Sequence, residues 1–267
     1  MTTTKLASSY ADYLKLPELL GCQTTLTEAH DELQFIIVHQ TAELWFKLMI
    51  FELESTRAAM FEGKVTQASH YLRRVQVLIK QLIAGFEVIE TMRPYDFAQF
   101  RDHLMPASGV QSLQYREVEF LCGARDSRYL SLWQGYARER LAKRAEEPTV
   151  WDAYIAVLRS NGQQTGDEKQ VVASIIDILQ REGNDDLGIL SEQLIEFDEH
   201  YSLWRNRHVQ MVMRMIGAKP GTGQVSVAQL AEAGYSHMGT SGVDYLRTTL
   251  NRVFFPLLWE ARTFIQR

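Results

Sequence analysis

The sequence predicts an all-α fold, arranged as a single helical-bundle domain. Three observations carry that prediction. The 267 residues contain only six prolines, and none falls between Glu18 and Arg93 or between Thr149 and Lys219, so long helices can run uninterrupted through both stretches. Apolar residues recur inside those stretches at three- and four-residue spacing. No segment alternates apolar and polar at period two for long enough to make a strand.

The elements follow in chain order. Over 35–49 the apolar set is Phe35, Val38, Ala42, Phe46 and Met49, with Gln40, Glu43, Lys47 and Glu54 on the other side, which predicts an amphipathic helix. A second helix over 65–90 carries Val75, Leu78, Ile79, Leu82, Ile83 and Phe86 inward and Arg73, Lys80 and Gln81 outward. Further helices are predicted over 112–122, 149–159, 168–181, 187–216 and 243–265. The punctuation at 105–109, Asn161-Gly162, Gly183-Asn184 and 219–223 marks loops or helix ends. There is no internal repeat and no low-complexity tract. The domain spans 1–267, and the 219–242 segment is its one long connection, placed as a lid loop.

Composition narrows the function. At 46% hydrophobic and 23% charged the chain is neither disordered nor fibrous. A formal net charge of −5 offers no basic footprint for a phosphate backbone, so no nucleic acid is expected as partner. The longest apolar runs, 35–38 and 254–258, fall far below the roughly 18 to 20 residues of a spanning helix, so no membrane is expected either. The opening MTTTKLASSYADY lacks an apolar signal core, which predicts a cytoplasmic location. Cys22 and Cys122 stand a hundred residues apart, which excludes a disulfide scaffold, a cysteine-based zinc site and c-type haem attachment.

Spacing also removes several chemistries. None of the seven histidines, His30, His39, His70, His103, His200, His208 and His237, has a glutamate three residues before it, so the paired motifs of a di-iron carboxylate bundle are missing. HExxH, GxxxxGK[ST], GxGxxG and GxSxG are missing too. What remains is single histidines on apolar helix faces. His39 shares its face with Phe35, Val38, Ala42 and Phe46, and His208 shares its own with Trp204, Met211, Val212 and Met215. A pattern of this kind more often means a core histidine satisfied by one hydrogen bond. It is also what a haem iron with one protein ligand uses. Phe97 and Arg101 lie four apart on one helical face, so a guanidinium emerges beside an aromatic ring. That pair suits an amino-acid substrate, and it equally suits a surface ion pair. Glycine-rich 221–223 and 239–242 are able to close over a ligand, as are ordinary surface loops.

Together these residues resemble the haem-dependent tryptophan 2,3-dioxygenase family over most of the chain. The strongest segments are FIIVHQTAELWFKL at 35–48, SGVQSLQYR at 108–116 and LWRNRH at 203–208, supported by YLKL at 13–16 and FFPLLW at 254–259. The resemblance implies haem b as cofactor, O2 as co-substrate and L-tryptophan as substrate, opened across the indole C2–C3 bond to N-formylkynurenine. It makes His208 the proximal iron ligand and His39 the distal catalytic histidine that hydrogen-bonds the indole N–H. Phe35, Phe97 and Arg101 match the substrate pocket, with Arg101 on the carboxylate, and Ser108 matches a serine near the distal side of the haem. Tyr13 and Leu14 match a segment that enters a neighbouring subunit's pocket, which implies a homotetramer.

One departure stands out. The family's lid carries a continuous Gly-Thr-Gly-Gly-Ser/Thr string, whereas here GTG at 221–223 and GTSGV at 239–243 are separated by 224–238. Thr222 and Thr240 are both candidates for the threonine that contacts substrate, with Thr222 at the matching distance from His208. An altered lid keeps open an alternative within haem chemistry, a monooxygenase that converts tryptophan or a methyl-tryptophan to a 2-oxindole in natural-product biosynthesis. Outside that chemistry stand a haem- or indole-binding sensor without turnover, and a purely structural helical module that binds no haem.

Overall fold

In this computed structural model the described residues are 9–131, 133–181, 183, 185–217, 219 and 242–266. They fold into helices with no strand. Two short helices, α1 (Tyr10–Leu14) and α2 (Leu16–Leu20), lead into α3 (Glu32–Phe61) and α4 (Val65–Ile89). Next come α5 (Pro94–Phe100), a 3-10 turn at Arg101–Leu104, α6 (Leu113–Leu121), α7 (Gly135–Glu146), α8 (Val150–Ser160) and α9 (Glu168–Leu179). The longest helix is α10 (Asp186–Ile216), followed by α11 (Gly242–Thr248) and α12 (Pro256–Arg262).

Local chemistry sets many of these ends. Thr149 and Asp152 form a reciprocal capping box at α8, while Ser112, Asp167 and Asp185 accept backbone N–H groups at the starts of α6, α9 and α10. Proline occupies the first turn of α5 and α12, where its missing N–H costs nothing. Gly63, at φ +72, makes the turn from α3 into α4.

The centre of the fold is α4, which packs along α3 on one side and α10 on the other. Val75, Ile79, Leu82 and Phe86 are buried there, and Arg73, Lys80 and Gln81 are exposed, as the periodicity predicts. On α10 the predicted inner set of Trp204, Met211 and Met215 is buried, while Asn206, Gln210 and Arg214 are exposed. None of the described helices is long and apolar enough to cross a membrane.

Besides the short α1 and α2, which were not predicted, three elements differ from expectation. The first predicted helix continues past 49 to Phe61, because Ile50, Leu53 and Met60 keep burying the same face. α7 was not predicted: its sequence GYARERLAKRAE buries only Leu141 among its apolar residues, and Arg144 ties it down through Glu54 and Glu147. The single helix predicted over 243–265 is two, α11 and α12. Between them the fully buried Asp198 carboxylate of α10 accepts the N–H groups of Phe254 (2.8 Å) and Phe255 (3.0 Å) and the indole N–H of Trp259 (3.0 Å). Those backbone donors bond a side chain instead of a helical carbonyl, and Pro256 starts a new helix.

Replacing Asp198 by alanine leaves three donors without an acceptor. The expected cost is at least ~3 kcal/mol, read as a lower midpoint in denaturant unfolding. An unchanged midpoint would remove Asp198 as the anchor of the carboxy-terminal segment.

Candidate active site

Because α4 holds α3 and α10 apart, a space forms beside it. It is a cavity of about 370 Å3, walled mainly by apolar groups that include Val38, Ala42 and Phe46 from α3, Leu82, Gly85 and Phe86 from α4, and Met211 from α10. His39 and His208 both line it. It falls within the size range of small-molecule sites, and its few polar groups stand out against apolar walls.

His208 packs beside two rings that also touch each other, with 5.9 Å between the Phe86 and Trp204 centroids. Phe86 and Trp204 each stack on the imidazole, with centroids 5.5 Å away and planes inclined by 13° and 17°. Burial, with the charge of His39 as the lesser cause, pushes the His208 pKa down to about 4, so the ring is neutral at pH 7. A neutral imidazole with a lone pair is the form that binds metal.

His39 is fixed differently. Its Nδ1 lies 2.7 Å from the carbonyl oxygen of Phe35, which only accepts, so Nδ1 carries the hydrogen and Nε2 is left as an acceptor. The ring keeps accessible surface along the cavity, yet the protein packed around it lowers its pKa through desolvation, against smaller upward pulls from the Phe35 carbonyl and Glu43. His39 is therefore a neutral hydrogen-bond acceptor at pH 7.

The other sequence-predicted residues divide. Phe35 packs on His39 at 4.0 Å between centroids and on Phe97 and Phe100 at 5.6 Å each, so an aromatic block backs the histidine. The Arg101 amide donates to the Phe97 carbonyl, which preserves the predicted four-residue relation; Arg101 is half-buried at the start of the 3-10 turn. Phe35 adjoins the site through His39 and Phe97 through Phe35, and none of Phe35, Phe97 and Arg101 is among the residues lining the cavity itself. Ser108 is half-buried at its rim, its N–H on Gln111 Oε1 (3.1 Å), while the adjoining Gly109 and nearby Ser112 line the wall. Tyr13 and Leu14 are 75% and 39% exposed on α1 and do not reach the cavity of their own chain. Thr222 and Thr240 lie outside the described residues.

Sequence reasoning missed several wall residues. Gly85 is a glycine inside an otherwise strong helix pattern, the one signal that could have exposed it. Arg116 and Arg205 are almost fully buried against the cavity and share the Glu119 carboxylate at 2.6 and 3.4 Å; charged residues give no sign of burial in a periodicity argument.

This arrangement constrains what metal chemistry fits. No group of three or more His, Cys, Asp or Glu side chains able to hold a metal occurs among the described residues. A metal held by His208 must bring its remaining ligands with it, as the iron of a porphyrin does. The apolar walls and the neutral, ring-stacked His208 fit that group.

Comparison with known proteins agrees. The sequence profile of the family described as tryptophan 2,3-dioxygenase matches residues 2–176 and 170–265. The chain is 42% identical over 265 residues to a tryptophan 2,3-dioxygenase of a Nocardioides species, covering 96% of this chain and 94% of the relative. It is 38% identical over 271 residues to that of Herpetosiphon aurantiacus, covering 96% and 98%, and 36% identical over 274 residues to that of Pseudomonas aeruginosa, covering 96% and 90%. Matches of that length and coverage, on a helical fold with two neutral histidines facing one cavity, place this chain in the tryptophan 2,3-dioxygenase family.

Proposed function

We propose that the chain, as one domain over 1–267, carries haem b on His208 and inserts both atoms of O2 across the indole C2–C3 bond of L-tryptophan, giving N-formylkynurenine. The observation that carries this is the pair of neutral imidazoles, His208 with a free lone pair and His39 with Nε2 as an acceptor, on one apolar cavity. Bound haem supplies the iron at which O2 is activated. The chain does the rest by holding and orienting. His39 Nε2 accepts the indole N–H and so sets which face of the ring is presented. Phe35 and Phe97 flank the indole, and the Arg101 guanidinium takes the carboxylate with two parallel N–H donors. Apolar walls exclude water from the reacting atoms.

Ser108, next to the cavity-lining Gly109, would adjoin bound haem, and Thr222 or Thr240 of the 219–242 segment would meet the substrate's amino-acid group. Tyr13 and Leu14 enter the site of another copy within a homotetramer. Their exposure, and the exposed apolar row Leu44, Leu48 and Phe51 on α3, support association with copies of the same chain. A cytoplasmic location belongs to the same proposal.

His39 gives a pH dependence with a definite sign. Only the neutral ring accepts the indole N–H, and its pKa lies below the ordinary histidine value of 6.5. Tryptophan affinity is expected to stay constant from pH 8 to 6.5 and to weaken only below, in equilibrium titrations of the reduced, anaerobic protein. A half-point at or above 6.5 would contradict the assigned state of His39.

The direct functional test is turnover. Haem-loaded, chemically reduced protein given L-tryptophan in air is expected to form N-formylkynurenine, followed by its absorbance. Bound haem with no consumption of tryptophan would favour a sensor and overturn the enzymatic reading.

A further inference from the structure

The cavity extends past the side that carries His39 and His208. Along α3 the lining residues fall on three adjacent i, i+4 ridges: Thr41 and Trp45 on one side, His39 and Glu43 on the other, Val38 and Ala42 between. On α4, Leu82 and Phe86 face the histidines, Gln81 and Val88 lie on the outer side, and Gly85 sits between them. The cavity therefore runs across the seam where α3 packs on α4. Its outer end meets solvent, since Ile37 and Val88 line it and are 45% and 47% exposed.

At Gly85 the two helices come close. A Cβ placed there would lie 3.6 Å from Val38 Cγ1 and meet nothing else within 4 Å. Gly85 has no positive φ to require a glycine, and glycine weakens a helix interior relative to alanine. The missing side chain keeps a slit open between two otherwise tightly packed helices.

We propose that O2 enters across this α3–α4 seam, with Gly85 setting the width of the passage. Tryptophan is a zwitterion and needs polar partners along its way in, which this slit of Val38, Ala42 and Gly85 lacks. A small apolar diatomic gas needs none. The separate route lets O2 arrive after tryptophan fills the space beside His39. The inference rests on the haem-dependent oxygenation proposed above.

Carbon monoxide serves as the probe, in haem-loaded ferrous protein saturated with L-tryptophan, with association followed after flash photolysis and dissociation by displacement. Alanine at position 85 makes only an ordinary contact and favours the helix, so Gly85→Ala will fold; it is expected to slow CO association by about threefold, and Gly85→Val by about tenfold or more. Ala42→Val narrows the same slit from α3 and is expected to act likewise. A constriction raises the barrier equally in both directions. Dissociation should therefore slow by the same factor, leaving the CO equilibrium constant and tryptophan affinity unchanged. A distorted site would change those equilibria instead. Association rates equal to the parent's in Gly85→Ala and Gly85→Val, or slower association with altered CO affinity, would overturn the proposed route. Failure of the parent protein to bind CO at all would overturn the haem assignment, and the route with it.

Discussion

Replacing His208 by alanine is expected to reduce haem content from one per chain to below about a tenth of that. The rings that pack on His208, Phe86 and Trp204, cannot ligate iron, and the thioether of Met211 in the same cavity is a weaker ligand than an imidazole. The fold should survive, because alanine is the best helix former and α10 stays anchored by Leu190, Leu194, Phe197 and Asp198. Circular dichroism separates loss of haem from loss of structure. Added imidazole should restore part of the Soret band, since it can occupy the space that the His208 ring leaves beside Phe86 and Trp204. Undiminished haem in the folded variant would remove His208 as the iron ligand.

The second large effect is expected at Arg101. A leucine there removes the paired donors and leaves the substrate carboxylate facing an aromatic block built from Phe35, Phe97 and Phe100. Loss of a charge-assisted hydrogen-bonded partner corresponds to about 2–3 kcal/mol, a rise in the tryptophan KM of roughly 30- to 160-fold. Indole derivatives without a carboxylate should not discriminate between parent and variant. An unchanged KM for tryptophan would take Arg101 out of the site.

The parts of this fold that were legible in the sequence are those where one physical rule dominates. α4 and α10 each bury one apolar stripe against a neighbour, so spacing alone located them and the faces bearing Leu82, Phe86 and His208. Where tertiary contacts override local pattern, spacing failed. The 243–265 segment reads as one helix until Asp198, some fifty residues earlier in the chain, takes the N–H groups of Phe254 and Phe255. α7 is hidden because its attachments are ion pairs through Arg140 and Arg144 to Glu117, Glu54 and Glu147, and charged residues read as solvent-facing.

The site divides on the same lines. His39 and His208 stood out as polar groups on apolar faces, but their pattern alone more often describes core histidines. Only their convergence on one cavity separates the two readings, and that is a property of helix packing between α3, α4 and α10. The buried Arg116–Glu119–Arg205 group had no sequence signal, because burial of charge depends on partners far apart in the chain.

The most direct test of the central claim is mass spectrometry of the product formed when reduced, haem-loaded protein turns over L-tryptophan under 18O2. The account predicts N-formylkynurenine carrying both labelled oxygen atoms. A product with a single labelled oxygen and an intact indole-derived ring, as in a 2-oxindole, would contradict it.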